Sequence, residues 1–476
     1  MRICNILLLL GFILTVSPIH AAKKPNVLYL FADDQCFETI GALGLTDIET
    51  PNLDRLAKRG TSFRRAYNMG SWSGAVCVAS RHMVITGRFL WHANQVHKKL
   101  KVEQEANRLW PQYMEKAGYD TYFTGKWHIR AKAEEIFGTA QNVRGGMPNQ
   151  TKQGYNRPLT GKPDPWDPTD PKFGGFWKGG KHWSEVVGDD AIEFLGKARK
   201  SKNPFFMYIA FNAPHDPRQA PKEYIDKYPL DRIKIPENFL PMYPYKDKIG
   251  CSHRLRDENL GPMPRTEHSV KVHRQEYYAI ITHMDAQIGR ILDQLEKSGQ
   301  ADNTYIFFTA DHGLGVGHHG LFGKQNLYEH STRVPFIAVG PGIAGGKENN
   351  ESIYLQDVMP TTLEIAGVKK PKQVQFNSLL PLLSGDRKTT NYPAVYGAYL
   401  GVQRSVTMKG KKLLLYPGVP VARLYDIDKD PHEMKDLAKD PKTLKSQKEL
   451  FAKLLDLQKE TGDTLDLTTK FQNLAP

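Results

Sequence analysis

The chain has 476 residues, of which 65 are Lys or Arg and 51 are Asp or Glu, so its formal net charge is +14 at pH 7. A chain of this length can bury one large core together with a smaller lobe, and its four cysteines are too few for a disulfide framework. The surplus of positive charge attracts polyanions. The sequence has no zinc-finger spacing, RNA-binding aromatic motif or basic helix, which argues against nucleic acid as the partner.

Residues 1–21 have the features of a signal peptide. Arg2 is the only Lys, Arg, Asp or Glu before Lys23, and the run from Ile6 to Val16 is largely apolar. Residues Ser17–Ala21 then supply the small side chains that are typical of a signal-peptide cleavage site. The apolar run is too short to span a bilayer, and no later segment could do so. The sequence therefore predicts an exported protein, periplasmic or secreted, without a transmembrane span.

Buried strands alternate with helices along most of the chain. Apolar runs predict strands at 26–32, 121–124, 204–211, 304–310 and 335–339. Amphipathic patterns predict a helix that begins at Pro51, with Thr50 as N-cap, and further helices over 102–117, 189–200 and 275–297. Pro111 is an alternative start for the helix over 102–117. Strands that are repeatedly separated by helices imply an α/β fold, a mostly parallel sheet with helices on both faces.

Two stretches depart from this alternation. Residues 141–183 are rich in Gly and Pro and carry scattered Trp and Phe side chains, which either stack on sugar rings or fold the loop onto the body. From about Tyr392 onward, short hairpin strands and a charged helix near 442–459 predict a small antiparallel lobe. We therefore predict a main domain over 22–385 and a C-terminal α+β subdomain over 386–476.

Two acidic clusters follow predicted strands. Asp33 and Asp34 come after the first strand, and Asp311 and His312 come after a late one. In parallel sheets, ligand sites lie beyond the carboxyl ends of the strands, and carboxylate oxygens suit Ca²⁺ or Mg²⁺. Adjacent aspartates are often only loop or cap residues, but the pairing of two such clusters favours a metal site.

Basic and imidazole side chains occupy similar positions. Lys126 and His128 are two residues apart, so on an extended segment they point the same way, and His215 follows another predicted strand. Taken alone, each of these residues, and also Lys324, is best interpreted as an ordinary surface lysine or an ordinary histidine. Together with Arg81 they form a set of cations and proton carriers suited to an anionic substrate.

The most specific motif is the run Cys77-Val78-Ala79-Ser80-Arg81, which continues to Thr86-Gly87-Arg88. If a helix begins there, Cys77 and Arg81 lie on one face, and the unpaired N–H groups of its first turn favour an anion. The alternative is a small-residue loop around an inert, buried cysteine. The motif resembles the signature of the type I, formylglycine-dependent sulfatases, Cys-x-(Pro/Ala)-Ser-Arg followed by Thr-Gly-Arg, and the chain resembles the bacterial polysaccharide sulfatases among them.

The resemblance implies an alkaline-phosphatase-like fold and a nucleophile made by oxidation of Cys77. In that family a maturation enzyme converts the cysteine to formylglycine, whose hydrate attacks the sulfate ester. The resemblance also implies Ca²⁺, with Mg²⁺ as the alternative, bound by Asp33, Asp34, Asp311 and His312 together with the modified Cys77. His312 stands where Asn is commoner in the family.

Further roles are implied by the same resemblance. Lys126, Lys324 and Arg81 would hold the sulfate oxygens, His215 would protonate the departing sugar oxygen, and His128 would help to expel sulfate. Four other matching residues are expected to serve maturation or structure: Ser80, Arg88, Glu329 and Arg333.

We therefore predict an exported sulfatase that acts on a sulfated polysaccharide or its oligosaccharides. Two alternatives stay open: a phosphonate or phosphate ester hydrolase of the same fold, or, if Cys77 remains a thiol, a non-catalytic binder of sulfated glycans. The sequence also leaves open the oligomeric state and whether Cys36 pairs with Cys251.

Overall fold

The computed structural model describes residues 23–146, 148 and 151–475, so the predicted signal peptide at 1–21 lies outside the described residues. No helix in the described part of the chain is long and apolar enough to cross a membrane. The strands are β1 (Asn26–Asp33), β2 (Thr61–Tyr67), β3 (Gly70–Ser71), β4 (Asp120–Lys126), β5 (Thr139–Arg144), β6 (Trp177–Lys178), β7 (Lys181–His182), β8 (Phe205–Pro214), β9 (Thr304–Ala310), β10 (Arg333–Val334), β11 (Phe336–Val339), β12 (Lys347–Tyr354), β13 (Val395–Tyr399), β14 (Gln403–Met408), β15 (Lys411–Tyr416) and β16 (Val421–Asp426). The helices are α1 (Pro51–Arg59), α2 (Val76–Thr86), α3 (Leu90–His97), α4 (Leu100–Glu105), α5 (Trp110–Lys116), α6 (Trp183–Ala198), α7 (Lys222–Ile225), α8 (Glu267–Lys297), α9 (Glu329–Thr332), α10 (Val358–Ile365), α11 (Leu380–Leu383) and α12 (Leu444–Thr461).

The larger sheet confirms the predicted α/β class. Its parallel part has the order β5-β4-β8-β1-β9, and β11, β2 and β10 extend it in antiparallel pairings, with β12 parallel to β2. Every residue of β1 and β8 is buried. Helices α1, α6 and α8 pack together as one layer, and α2, α5 and α10 as another. The carboxyl ends of β1, β4, β8 and β9 consequently share one edge of the sheet.

The smaller sheet combines one short strand from the early part of the chain with four strands from its C-terminal part. β13, β14, β15 and β16 form an antiparallel sheet that α12 covers, and β3 adds to it in parallel with β13. Gly70 of β3 has φ of +97°, and a Cβ atom there would lie 1.9 Å from the carbonyl oxygen of Ala398. Glycine is therefore needed where the segment leading to α2 crosses from one sheet to the other.

Several elements differ from the sequence predictions. The helix predicted over 102–117 is two helices, α4 and α5, and α8 begins at Glu267, eight residues before the predicted start at 275. The Thr266 hydroxyl accepts from Ser269 N at 3.1 Å and so caps the start of α8. The strand predicted at 335–339 is present as β11 but runs antiparallel to β9, so its carboxyl end lies away from the edge described above.

The aromatic side chains of the 141–183 stretch fold it onto the body. Trp166, Phe173, Phe176 and Trp183 are buried, and the rings of Trp166 and Phe173 stack at 4.8 Å between centroids. Of the two interpretations of this stretch, the structure supports packing for these four rings rather than sugar stacking. The burial of their apolar area holds the described residues around them against the body, although the segment is rich in Gly and Pro.

The cysteines of the described chain are all free. Cys36, Cys77 and Cys251 are buried and unpaired, so the pairing of Cys36 with Cys251 that the sequence left open is absent. Burial raises the pKa of both the Cys36 and the Cys251 thiols, which keeps them protonated and chemically inert.

Helix α1 is capped by a side chain from another helix. Thr50 precedes the helix as predicted, but its hydroxyl accepts from Gly41 N and donates to the Asp54 carboxylate instead of accepting from a backbone N–H of the first turn. The buried carboxylate of Asp285 on α8 accepts from Leu53 N at 2.7 Å and from Asn52 N at 3.1 Å. The N-cap interaction is therefore a tertiary one, which local sequence cannot reveal.

Replacing Asp285 should destabilise the protein more than replacing a surface partner of the same two helices. Asp285→Ala leaves two N–H groups without an acceptor, so we expect the free energy of unfolding to fall by about 2 kcal/mol. Asp293 on α8 pairs with Arg55 of α1 at 2.9 Å at the surface, and Asp293→Ala should cost less than about 1 kcal/mol. Urea unfolding checks both variants, and equal losses would contradict the capping role.

Candidate active site

Cys77 lies in the first turn of α2, and Arg81 follows one turn later on the same face. Both side chains are buried, and Cys77 is only 2% exposed. The Cys77 sulfur lies 3.3 Å from His128 Nδ1. Burial raises the pKa of the thiol, but the positive charges of Lys126 and Lys324 help to outweigh it, so the pKa is lowered. Unlike the other two cysteines, Cys77 sits in surroundings that favour an anion.

Arg81 links three strand ends. Its Nε donates to Asp311 Oδ2 at 3.0 Å, beyond β9, and its Nη1 donates to the carbonyl oxygen of Lys126 at 2.6 Å, at the end of β4. Its Nη2 lies 3.8 Å from Asp33 Oδ1 on β1 and has no hydrogen-bond partner among the described residues. Two nitrogens thus hold the site together, and the third is free to donate.

The acidic residues form a cluster whose oxygen and nitrogen ligand atoms converge. His312 Nδ1 lies 2.9 Å from the carbonyl oxygen of Gly313, so it carries the proton and leaves a lone pair on Nε2. That lone pair faces Asp34 Oδ1 at 3.1 Å and Asp311 Oδ1 at 3.5 Å. Three acceptors that face one another repel unless a cation lies among them. This arrangement fits a bound metal ion.

The pKa values of the same carboxylates also favour a bound cation. Burial, to which the nearby Asp311 adds, raises the pKa of Asp33 well above its usual range and that of Asp34 to about 7. Asp33 Oδ1 has no hydrogen-bond donor within the described chain. A divalent cation would favour the ionised forms. The atoms that could hold one fall into two groups: Asp33, Cys77, Asp311 and His312, and Asp33, Asp34 and His215.

Two buried lysines complete the charge balance. Lys126 forms an ion pair with Asp33, and Lys324 Nζ lies 2.7 Å from Asp34 Oδ2 and 3.0 Å from His215 Nε2. Burial lowers the pKa of each lysine, but the neighbouring carboxylates outweigh it, so both pKa values are raised. Both side chains therefore stay charged in the interior.

The two histidines flank the cluster as neutral bases. Burial, assisted by the charge of Lys126, lowers the pKa of His128 to about 3, and burial with Lys324 lowers that of His215 well below its usual value. A Cβ atom on Gly146 would lie 2.7 Å from His128 Nε2. The backbone at Gly146 thus holds the His128 ring against Cys77 on its other side.

The structure brings the sequence-predicted site residues into one cluster at the carboxyl edge of the sheet, in which all but the half-buried His128 are buried. They are Asp33, Asp34, Cys77, Arg81, Lys126, His128, His215, Asp311, His312 and Lys324. The matching residues that were expected to be structural lie elsewhere: Arg88 pairs with Glu103, and Glu329 contacts Tyr67, Arg333 and Lys412.

Sequence reasoning assigned no role to Asp257, a neighbour of Lys324, or to Arg256 and Asp216, which are linked to it by ion pairs. Asp257, which is buried, lies 3.6 Å from Lys324 Nζ and 2.8 Å from Arg256 Nη2, and Arg256 is also paired with Asp216. The position of Asp216 directly after His215 was an available signal. Asp257 lies in an irregular segment, so no periodicity marked it.

Comparison with protein families gives two matches. A family model described as Sulfatase matches residues 25–368, and one described as N-sulphoglucosamine sulphohydrolase, C-terminal, matches residues 317–460. An N-acetylglucosamine-6-O-sulfatase of Bacteroides thetaiotaomicron is 27% identical over 93% of this chain and 87% of its own length. An ulvan-active sulfatase of Formosa agariphila is 26% identical over 94% of this chain and 84% of its own length.

Solved structures share the fold. A protein in complex with its substrate D-glucosamine-2-N,6-O-disulfate matches with a TM-score of 0.72 and 25% identity, over 93% of this chain and 99% of that one. A phosphonate monoester hydrolase of Agrobacterium radiobacter matches with a TM-score of 0.71 and 20% identity, over 92% and 96%. At 20% identity, the match to the phosphonate monoester hydrolase is evidence only of a shared fold.

We expect a divalent cation to stabilise the protein through the acidic cluster. At an ion concentration about 100 times the dissociation constant, the free energy of unfolding should rise by about 2.7 kcal/mol. Thermal unfolding after chelation, with Ca²⁺ or Mg²⁺ added back, measures the effect. Asp33→Asn should abolish the shift, whereas Asp190→Asn, a buried carboxylate bonded to Thr124 and Asn142, should retain it. A shift that survives in Asp33→Asn would place the ion elsewhere.

Proposed function

Because the chain belongs to the sulfatase family and is therefore a sulfuric ester hydrolase, we propose that it removes sulfate from a sulfated carbohydrate, a polysaccharide or its oligosaccharides. The observation that carries the proposal is the convergence of Cys77 with buried cations and carboxylates at one sheet edge. Two relatives named for saccharide substrates, N-acetylglucosamine-6-O-sulfate and ulvan, support the substrate class.

Cys77 is the residue that a maturation enzyme converts to formylglycine in this proposal. Formylglycine supplies, in its hydrated form, a hydroxyl nucleophile that the unmodified thiol lacks. The surroundings fit the group because His128 Nδ1 lies beside the Cys77 sulfur and can accept a proton there. The nearby ammonium groups of Lys126 and Lys324 favour negative charge at the same atom.

The metal ligands in this proposal are Asp33, Asp34, Asp311 and His312, with the side chain at position 77. Their mainly oxygen character favours Ca²⁺, with Mg²⁺ as the alternative. The ion supplies positive charge that stabilises the developing negative charge of the sulfuryl group.

Three side chains of the protein hold the sulfate. Lys126, Lys324 and Arg81 Nη2 are buried donors that converge on the space around position 77. Because they are fixed by ion pairs before the substrate arrives, they need little reorganisation when charge builds up on the sulfate oxygens. A well-placed donor of this kind contributes about 3 kcal/mol to the transition state.

Two histidines move protons. His215 Nδ1 lies 2.7 Å from the backbone carbonyl oxygen of Asp216, so its proton is held there and Nε2 faces Lys324. His215 and Lys324 together can deliver a proton to the departing sugar oxygen and regain it from water. His128, on the opposite side, accepts the proton of the hydroxyl at position 77 that expels sulfate.

Export and domain organisation belong to the same proposal. A signal peptide at 1–21 and a charge of +14 − 1 = +13 after its removal suit a secreted or periplasmic enzyme that meets polyanionic glycans. We place the catalytic domain at 22–385 and the C-terminal subdomain at 386–476. The fold shared with a phosphonate monoester hydrolase keeps phosphonate and phosphate esters as the second candidate class.

The function is tested by combining peptide mass with sulfate release. In protein from its native host, the peptide spanning Cys77 should be lighter by one sulfur and two hydrogens and heavier by one oxygen. The same protein should release inorganic sulfate from sulfated saccharides, and the Cys77→Ala variant should not. The unfolding temperature of this variant should equal that of the wild-type protein, which shows that the loss is not a loss of folding. Faster cleavage of aryl phosphonates than of any sulfate ester favours the second class, and an unmodified thiol favours a non-catalytic glycan binder.

Replacing His215 should affect substrates according to their leaving groups. A sugar alkoxide needs a proton as it departs, so His215→Ala should lower kcat for a saccharide sulfate by about 10²–10⁴-fold. For 4-nitrophenyl sulfate, whose phenolate departs unassisted, the loss should be much smaller. Steady-state kinetics on both substrates checks this, and equal losses would show that His215 only positions the sulfate.

A further inference from the structure

A cavity adjoins position 77 on the side of His128. It has a volume of about 510 Å³, within the range of small-ligand sites. Val78, which follows Cys77 in α2, and His128 both line it. The cavity therefore begins where the sulfate site ends, and a saccharide bound at position 77 can extend into it.

The charges that line this cavity have one sign. Arg130 and Arg144 contribute guanidinium groups, and the residues described along its wall include no Asp or Glu. Arg130 is exposed, and its charge adds to burial in lowering the pKa of His97 on the same wall. Arg157, which is buried, and Arg232, which is half-buried, each have carboxylate partners, whereas no carboxylate lines the cavity beside Arg130 and Arg144.

Arg144 is held in place without an ion pair. Its guanidinium lies 3.9 Å from the centre of the Trp183 ring, and its Nη1 is buried with no hydrogen-bond partner in the described part of the chain. Burial lowers its pKa to about 10. A guanidinium that has lost water and gained no anion is costly, and an anionic ligand would repay that cost with paired, charge-assisted hydrogen bonds.

Part of the cavity lining is aromatic. Trp72 is half-buried and lines the cavity, and its ring lies 5.5 Å from that of His97. An amphipathic aromatic surface of this kind packs against the apolar face of a sugar ring. Trp72 lies outside the 141–183 stretch whose rings are buried, so it is available for this contact.

We propose that this cavity is a subsite for a second anionic group of the substrate, a carboxylate or a second sulfate, bound by Arg144 and Arg130 while the sugar ring packs on Trp72. The inference rests on the proposed function and specifies the substrates further. The substrates are saccharides that carry another negative charge near the sulfate that is removed, and Arg144 determines the specificity for them.

Binding to the Cys77→Ala variant tests the subsite without turnover. Isothermal titration compares D-glucosamine-6-O-sulfate with D-glucosamine-2-N,6-O-disulfate, and a monosulfated uronate disaccharide with its carboxyl methyl ester. The more highly charged member of at least one pair should bind about tenfold more tightly or better. The pair that shows the preference distinguishes sulfate from carboxylate as the second group.

The preference should then depend on Arg144. In the Cys77→Ala background, Arg144→Gln should reduce the ratio of affinities within that pair to about one, and Arg130→Gln, at an exposed position that tolerates substitution, should reduce it in part. Arg199→Gln is the matched control, because Arg199 is an exposed residue that follows α6 at the opposite edge of the sheet. It should leave the ratio unchanged.

The outcomes separate the two proposals. Equal affinities within both pairs, or a preference that Arg144→Gln and Arg130→Gln leave intact, overturns the subsite even if the wild-type protein releases sulfate. A wild-type protein that releases no sulfate overturns the proposed function, whatever the titrations give. Thermal unfolding of Arg144→Gln, whose ring contact with Trp183 is lost, confirms that the protein measured is folded.

Discussion

The structure depends on burying several like charges at one place. Asp33, Asp34 and Asp311 meet beyond the carboxyl edge of the sheet, and each ion removed from water costs several kcal/mol unless it is paired. Arg81 and Lys126 supply part of the compensation from different segments of the chain. The fold is therefore the means by which charges that are distant in sequence are held together.

Much of the scaffold and of the cluster is visible in the sequence because both obey simple periodicities. Buried parallel strands appear as uninterrupted apolar runs, as at β1 and β9, and polar residues just after such runs must lie at the sheet edge. That rule alone places Asp33 and Asp311 together. The role of Cys77 came from a resemblance to a known signature, since a lone cysteine carries no such information.

Other features could not be predicted because they arise from tertiary contacts. Asp285 caps α1 by accepting hydrogen bonds from the backbone N–H groups of Asn52 and Leu53, which lie 233 and 232 positions earlier in the chain. Asp257 reaches Lys324 from an irregular segment. The charge of Arg144 stands out only because the folded chain brings it no carboxylate, which is a property of space and not of order along the chain.

The pairing of β3 with β13 has a consequence for how the protein is made. Gly70 pairs with Ala398, which the ribosome adds 398 − 70 = 328 residues later. Until then the segment that leads into α2 lacks its neighbouring strand, whereas in the finished protein Cys77 is almost completely enclosed. If Cys77 is modified as proposed, its sulfur atom would be most accessible to the modifying enzyme while the polypeptide is still emerging.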